Sequence, residues 1–255
     1  GERVRETLND WNEIIMMMVM MLMSVAPYGV FCLLISLFAR MGFSAISELI
    51  VYFLVVAGVL LLHFLVSYGL IVRFIANINP VTFYKRMAPV MAYGFSTSSS
   101  NATLPITLET VEHKLGVKKE IASFTVPLGA TINMDGTAIM QGVATVFIAS
   151  AYNIDMSFTD YLLVILTATL ASIGTAGVPG VGLIMLALVL DQVGLPVEGI
   201  GLIIGVDRLL DMMRTSVNVT GDAAVSAVVA RSENKFDMAV FEDNRIQDQV
   251  VQKSS

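Results

Sequence analysis

Seven polar residues punctuate one apolar stretch near the end of the chain: Asp207, Arg208, Asp211, Arg214, Thr215, Asn218 and Asp222. At about 100° of rotation per residue, a helix gathers all seven within roughly 120° of arc. One face is then polar and the rest apolar. A charged group at the centre of a helix in lipid costs about 2.5–3.5 kcal/mol, so this face must turn inward, pair, and meet a ligand or ions. Arg214 can hold a carboxylate bidentately. Asp211, one turn earlier, can hold an ammonium. A second polar set, Asn133-Met134-Asp135-Gly136-Thr137, interrupts another apolar stretch. Asn133 and Asp135 lie about 200° apart on an ideal helix, so both face inward only if the helix unwinds there, which Gly136 permits. Unwound carbonyls beside Asn and Asp oxygens suit small hard cations. Without a His or Cys cluster, a transition-metal site is not indicated. A structural ion-pair network would use the same charges but would leave the broken segments described next unexplained.

Five segments must position these residues. Residues 46–76, 121–150 and 199–230 are apolar runs longer than the ~20 residues that cross a bilayer, as is 14–39 before them. Residues 82–112 and 160–193 differ. The first carries the polar knot Ser96-Thr97-Ser98-Ser99-Ser100-Asn101, and the second carries Ser172-Ile173-Gly174-Thr175-Ala176-Gly177-Val178-Pro179-Gly180. Gly and Pro at that density break a helix, and broken backbone within hydrocarbon must be buried in protein or line a watery cavity. Both segments therefore read as re-entrant hairpins, the alternative for each being a kinked span or an interfacial loop. The helix starting near Ser99–Thr103 and the second arm of the later hairpin aim their amide ends at the midplane, which favours a carboxylate. One cation, one anion and an anion-binding helix end together describe an acidic amino acid.

Composition agrees. Apolar residues make up 56% of the 255 residues and charged residues 14%, against about 25% charged in globular domains, and mean hydropathy is +0.77. A net charge of -6 argues against a nucleic-acid partner. The single cysteine, Cys32, excludes an internal disulfide. Lys and Arg are absent between Glu120 and Asp207 but flank residues 82–112 and the C-terminus. The positive-inside rule then places both ends in the cytoplasm and the flanks of 160–193 outside, with Arg40 the one basic residue on the wrong side. The fold class expected is an all-α, multi-pass plasma (inner) membrane protein with two oppositely oriented hairpins. A hairpin followed by a span with Asn and Asp occurs twice, which is the pattern of an inverted repeat with its site at the midplane. The chain opens at Gly1 on a mixed-charge stretch, neither signal nor transit peptide, and reads as entered partway.

Four motifs, Ser98–Pro105, Pro127–Thr137, Ala171–Gly180 and Asp211–Asp222, resemble in order those of the dicarboxylate/amino acid:cation symporter family, which includes excitatory amino acid transporters. The resemblance covers about residues 10–232. It implies a sodium-coupled homotrimer with an elevator-type transport domain over 41–232, a scaffold segment over 1–40, and a cytoplasmic tail over 233–255. It further implies that the family's N-terminal spans are missing, with part of one sodium site and much of the trimer scaffold. Carried over by position, the substrate residues are Ser99 and Ser100 by their backbone, Thr137, Val178, Gly182, Asp211, Arg214, Thr215 and Asn218. Arg214 takes the side-chain carboxylate, Asp211 the amine and Asn218 the α-carboxylate. One co-transported sodium ion falls to the carbonyls of Gly129, Asn133 and Asn218 with Asp222. A second falls to Thr131 and the carbonyls of Ser172, Ile173 and Thr175, formed only when the hairpin closes, and a third to Asn133 and Asp135.

The departures are Asn101, where the family has Ser or Gly, and Ser98, where archaeal relatives carry Arg. Gln141 stands where proton-coupled animal transporters carry Glu, which implies no proton coupling. The function expected is import of glutamate or aspartate with sodium, through contact with membrane lipids, rather than enzymatic chemistry. A neutral amino acid or C4-dicarboxylate carrier is the alternative; Arg214 argues against the first and Asp211 against the second. An intramembrane aspartyl protease would need two carboxylates sharing a proton, which Arg214 opposes. The Met16–Met23 stripe, Trp11 and His63 read as packing, an interface anchor and a satisfied helix residue.

Overall fold

The computed structural model describes residues 44–243, together with Thr7, Asp10, Trp11, Ile14, Met17, Met18, Met21, Ser24, Val25, Tyr28, Phe31, Cys32 and Ile35, all helical. Most of the expected 14–39 span, and the tail beyond residue 243, lie outside the described residues. Among the described residues the protein is helical without named strands. α1 (Ser44–Leu62) continues through π-helical turns at His63–Tyr68 and Ile71–Ile75. Over Ser47–Ile75 it is the one described helix long and apolar enough to cross a membrane alone.

Each of the next three pairs of helices is one segment broken at the place where the sequence carries small or polar residues. α2 (Pro80–Thr97) starts at Asn79, whose side chain accepts from the Val81 amide at 2.9 Å, with Pro80 in the first turn. It ends at Ser98, which adopts φ 52°, and Ser99 then caps α3 (Ser100–His113) by accepting from the Ala102 amide at 3.1 Å. α4 (Lys119–Ile132) and α5 (Asp135–Ala151) flank the two-residue break Asn133–Met134. α6 (Phe158–Ile173) opens with a reciprocal Ser157–Asp160 cap. It is separated from α7 (Val181–Gln192) by the tip 174–180, which closes on Gly180 at φ 80°. A short 3₁₀ turn, Val197–Gly199, leads into the long helix α8 (Ile200–Ser232).

α8 is the axis of the molecule, packed against α1 to α5 and α7. Its second half presents Gly221, Ala223, Ala224, Ala227 and Ala230, all buried. Lipid supplies no hydrophobic force between apolar helices, so close approach through small residues is what binds them. Large apolar side chains point the other way: Leu54, Phe124, Phe158, Ile165 and Ile184 are all exposed. That inversion is what a lipid-facing surface requires.

The segment after α8 is not a free tail over residues 233–243. Asp237 caps α9 (Met238–Glu242), an isolated antiparallel bridge joins Val117 to Phe236, and Phe241 is buried. The Arg86 guanidinium donates to the carbonyls of Lys114, Val240 (3.1 Å) and Asp243 (3.1 Å), and lies 5.4 Å over the Phe241 ring. Lys235 pairs with Glu120 on α4, and that hydrogen-bonded carboxylate holds the exposed ammonium above its ordinary range. The polar composition that suggested a solvated tail conceals two Phe anchors and a run of carbonyls that suit a buried guanidinium.

Candidate functional site

The polar stripe of α8 meets both broken tips and the α4–α5 break at one place. Asp207, Asp211, Arg214, Thr215, Asn218 and Asp222 are each at most 6% exposed. Arg208, at the edge of the stripe, is exposed. The Arg214 guanidinium donates to Asp207 Oδ1 at 2.7 Å and to Asp207 Oδ2 at 3.4 Å, and pairs with Asp211 Oδ1 at 2.9 Å. Two buried carboxylates thus share one buried cation. The second oxygen of Asp211 accepts from the Gly180 amide at 3.0 Å, which ties the second tip to α8.

The two tips also touch each other. The Gly177 carbonyl accepts from the Ser99 hydroxyl at 2.7 Å and from the Asn101 amide at 3.1 Å. A Cβ on Gly177 would stand 3.0 Å from Asn101 Oδ1. Between the tips and α8 lies a small pocket of about 20 Å³, lined by Ser98, Ser100, Thr137, Val178, Gly182 and the α8 residues Asp211, Arg214, Thr215 and Asn218, among others. That is room for about one water molecule.

A second cluster sits at the α4–α5 break. The Asn133 amide donates to Asp222 Oδ1 at 3.0 Å and to the Asn218 carbonyl at 3.3 Å. Asn218 Oδ1 accepts from the Gly136 amide at 2.8 Å, and its own amide donates to the Met134 sulfur at 3.3 Å. A Cβ on Gly129 would come 2.5 Å from Asp222 Oδ1, so the backbone there must be glycine to approach the carboxylate. Asp135 points elsewhere: it accepts from the Tyr68 hydroxyl and contacts His63 Nε2 at 2.7 Å. Asp222 is 2% exposed, and its carboxylate meets a single hydrogen-bond donor, Asn133, among the described residues. A carboxylate so buried calls for a cation.

A model of one family matches residues 1–232: the sodium:dicarboxylate symporter family. The chain belongs to that family. It is 43% identical over 220 residues to an excitatory amino acid transporter of Caenorhabditis elegans, covering 86% of this chain and 44% of that protein. It is 39% identical over 231 residues to excitatory amino acid transporter 1 of Mus musculus, covering 90% and 42%, and 38% identical over 256 residues to mouse excitatory amino acid transporter 2, covering 98% and 45%. The chain spans less than half the length of these relatives. They are transporters of a symporter family, not enzymes, and membrane proteins.

Against this family background, most of the expected substrate residues converge. Ser100, Thr137, Val178, Gly182, Asp211, Arg214, Thr215 and Asn218 line the one pocket, as does Thr175. Ser99, expected there by its backbone, is not among the lining residues, and its hydroxyl caps α3 and bonds the Gly177 carbonyl. Ser98 lines it as well, buried with no partner for its hydroxyl among the described residues. Of the residues expected at sodium, Gly129, Asn133, Asn218 and Asp222 cluster. The Thr131 hydroxyl donates to the Pro127 carbonyl, and those of Ser172 and Thr175 donate to the Thr169 and Ala171 carbonyls, while the carbonyls expected as ligands, those of Ser172, Ile173 and Thr175, follow one another at the end of α6 and the start of the tip. Asp207 was absent from the expected set. Its seven-residue spacing from Arg214, two helical turns on the same face, was the available signal.

Proposed function

We propose that this chain is the core of a sodium-coupled symporter that imports an acidic amino acid. The observation that carries the proposal is the arrangement of Arg214 between Asp207 and Asp211 beneath the tip at Gly180. A ligand with a carboxylate and an ammonium can replace those contacts in kind. Its ammonium takes Asp211, and its side-chain carboxylate takes the Arg214 face that Asp211 releases. Asp207 keeps the guanidinium oriented throughout, so the cation is never left alone in the interior. The α-carboxylate falls to Asn218 and to the amide end of α3 at Ser100.

The pocket is too small for an amino acid while Gly180 bonds Asp211 and Gly177 bonds Ser99. Entry therefore requires the 174–180 tip to lift, and the same two contacts offer a reason for it to close again. In this reading α2–α3 and α6–α7 are re-entrant hairpins from opposite sides, residues 41–232 form the moving body of an elevator, the N-terminal segment belongs to a scaffold, and the whole protein is a homotrimer. The C-terminus lies in the cytoplasm. Sodium ions are the driving cargo. Asp222, Asn133, Asn218 and the Gly129 region would hold one, the 172–175 carbonyls with Thr131 another that forms as the tip settles, and Asn133 a further one with Asp135 once Asp135 turns away from Tyr68 and His63.

Proteoliposomes carrying the full-length transporter test the proposal. An inward sodium gradient should drive aspartate or glutamate uptake, with alanine and succinate failing to compete. Competition by succinate at equal potency would favour a dicarboxylate carrier, and competition by alanine a neutral amino acid carrier.

A further inference from the structure

The membrane helix Ser47–Ile75 ends beside a polar cleft. The cleft has a volume of about 360 Å³, and its walls include Arg73, Asn77, Asn79, Thr82, Phe241 and Glu242. It is assembled from two separate stretches of the chain, 73–82 and 238–242, each pinned by specific contacts. The 76–79 turn is held by Arg231, whose Nε donates to the Ala76 carbonyl at 2.9 Å, and by the Ile78 amide bonding Val72 at 3.1 Å. The α9 wall is clasped by Arg86 through the carbonyls of Val240 and Asp243. Among the described residues, neither the Arg73 guanidinium nor the Glu242 carboxylate has a hydrogen-bond or ion-pair partner. One unpaired cation and one unpaired anion therefore share a single cleft.

The depth of the cleft says where its ligand comes from. Arg73 lies in the last turn of the membrane helix, where a long basic side chain reaches the headgroup layer. Its neighbours Phe74 and Ile75, the last residues of the same helix, are 75% and 62% exposed and form an apolar shelf at the helix end. We propose that this cleft seats the headgroup of a phospholipid bearing a primary ammonium, a phosphoethanolamine. Arg73 takes the phosphate, assisted by the Asn77 amide and Thr82 hydroxyl, and Glu242 takes the ammonium. The acyl chains lie along Phe74 and Ile75. A choline headgroup has no N–H for Glu242. A glycerol headgroup offers its phosphate to Arg73 but no cation to Glu242. Free phosphoethanolamine shares the headgroup chemistry but leaves the apolar shelf uncovered, so the lipid is the source assigned. The inference depends on the membrane location and not on what is transported.

Native mass spectrometry of the full-length transporter in detergent, titrated with palmitoyl-oleoyl phosphatidylethanolamine, phosphatidylcholine or phosphatidylglycerol, tests it. The wild type should retain one phosphatidylethanolamine per subunit in preference to the other two. Arg73→Gln should weaken that retention at least tenfold. Glu242→Gln should abolish the preference over phosphatidylglycerol. Neither variant should alter sodium-dependent aspartate binding, which serves as the control for folding. Equal retention by Arg73→Gln, or indifference to the headgroup in the wild type, overturns the proposal. Displacement of the lipid by equimolar free phosphoethanolamine overturns its assignment to a lipid.

Discussion

Replacing Arg214 by Cys should damage two things at once, and the structure separates them. The guanidinium is 2% exposed and is the shared partner of Asp207 and Asp211, themselves 4% and 6% exposed. Removing it leaves two carboxylates facing each other in the interior. Breaking a buried pair costs about 3–5 kcal/mol, so Arg214→Cys should lower the unfolding free energy by about that much. Aspartate affinity should fall by about 100- to 4000-fold for the same reason. A second change distinguishes the effects. Asp207→Asn in the Arg214→Cys background removes one of the stranded charges and should restore most of the stability. It cannot restore a cation for the substrate carboxylate, so acidic substrates stay excluded, while alanine, serine or cysteine can enter. Denaturation in detergent reports the first quantity and radiolabelled aspartate binding the second. Undiminished stability in Arg214→Cys, or recovery of aspartate binding in the double variant, would refute the reasoning, because the coupling must be non-additive if Asp207 and Arg214 act as a pair.

Other outcomes follow from close approaches. A methyl group on Gly182 would meet Arg214 Nη2 at 3.0 Å and Thr137 Cγ2 at 3.3 Å; overpacking of this kind costs about 1–3 kcal/mol, so Gly182→Ala should weaken aspartate binding by roughly 5- to 150-fold with little change in the sodium dependence. Gly129→Ala drives a methyl onto Asp222 and should act on sodium instead, raising the sodium concentration for half-maximal aspartate binding by about tenfold, equivalent to about 1.4 kcal/mol. Gln141, buried with its amide donating to the Gly182 carbonyl at 3.2 Å, has no proton to exchange. Uptake should therefore respond to a sodium gradient alone, and a proton gradient imposed at clamped potential should add nothing; lumenal acidification in proportion to substrate would contradict this.

The polar stripe of α8 was legible because helical phase alone gathers Asp207, Asp211, Arg214, Asn218 and Asp222. The break at Asn133–Met134 was legible because Asn133 and Asp135 fall about 200° apart on a continuous helix and Gly136 permits unwinding, but Asp135 turns to Tyr68 and His63 and not to the cluster around Asp222. Pairings between elements were not. His63 and Tyr68 reach Asp135 from 72 and 67 residues away, and nothing in the sequence says which face of α1 meets α5. Ser98 and Ser99 are the same residue type side by side, and only the left-handed backbone at Ser98 decides that Ser99 caps the helix while Ser98 lines the pocket. The clasp on α9 was hidden for another reason: Arg86 binds main-chain carbonyls, and every residue has one, so the acceptors leave no mark in the sequence.

The central claim is that one buried site binds an acidic amino acid and sodium together. Equilibrium binding of radiolabelled aspartate to the full-length transporter, at several sodium concentrations and with potassium as the balancing cation, tests it most directly. Affinity should rise steeply with sodium, and Asp222→Asn should flatten that dependence while Arg214→Cys lowers the affinity at every sodium concentration. Aspartate binding of the same strength in potassium alone would contradict the claim.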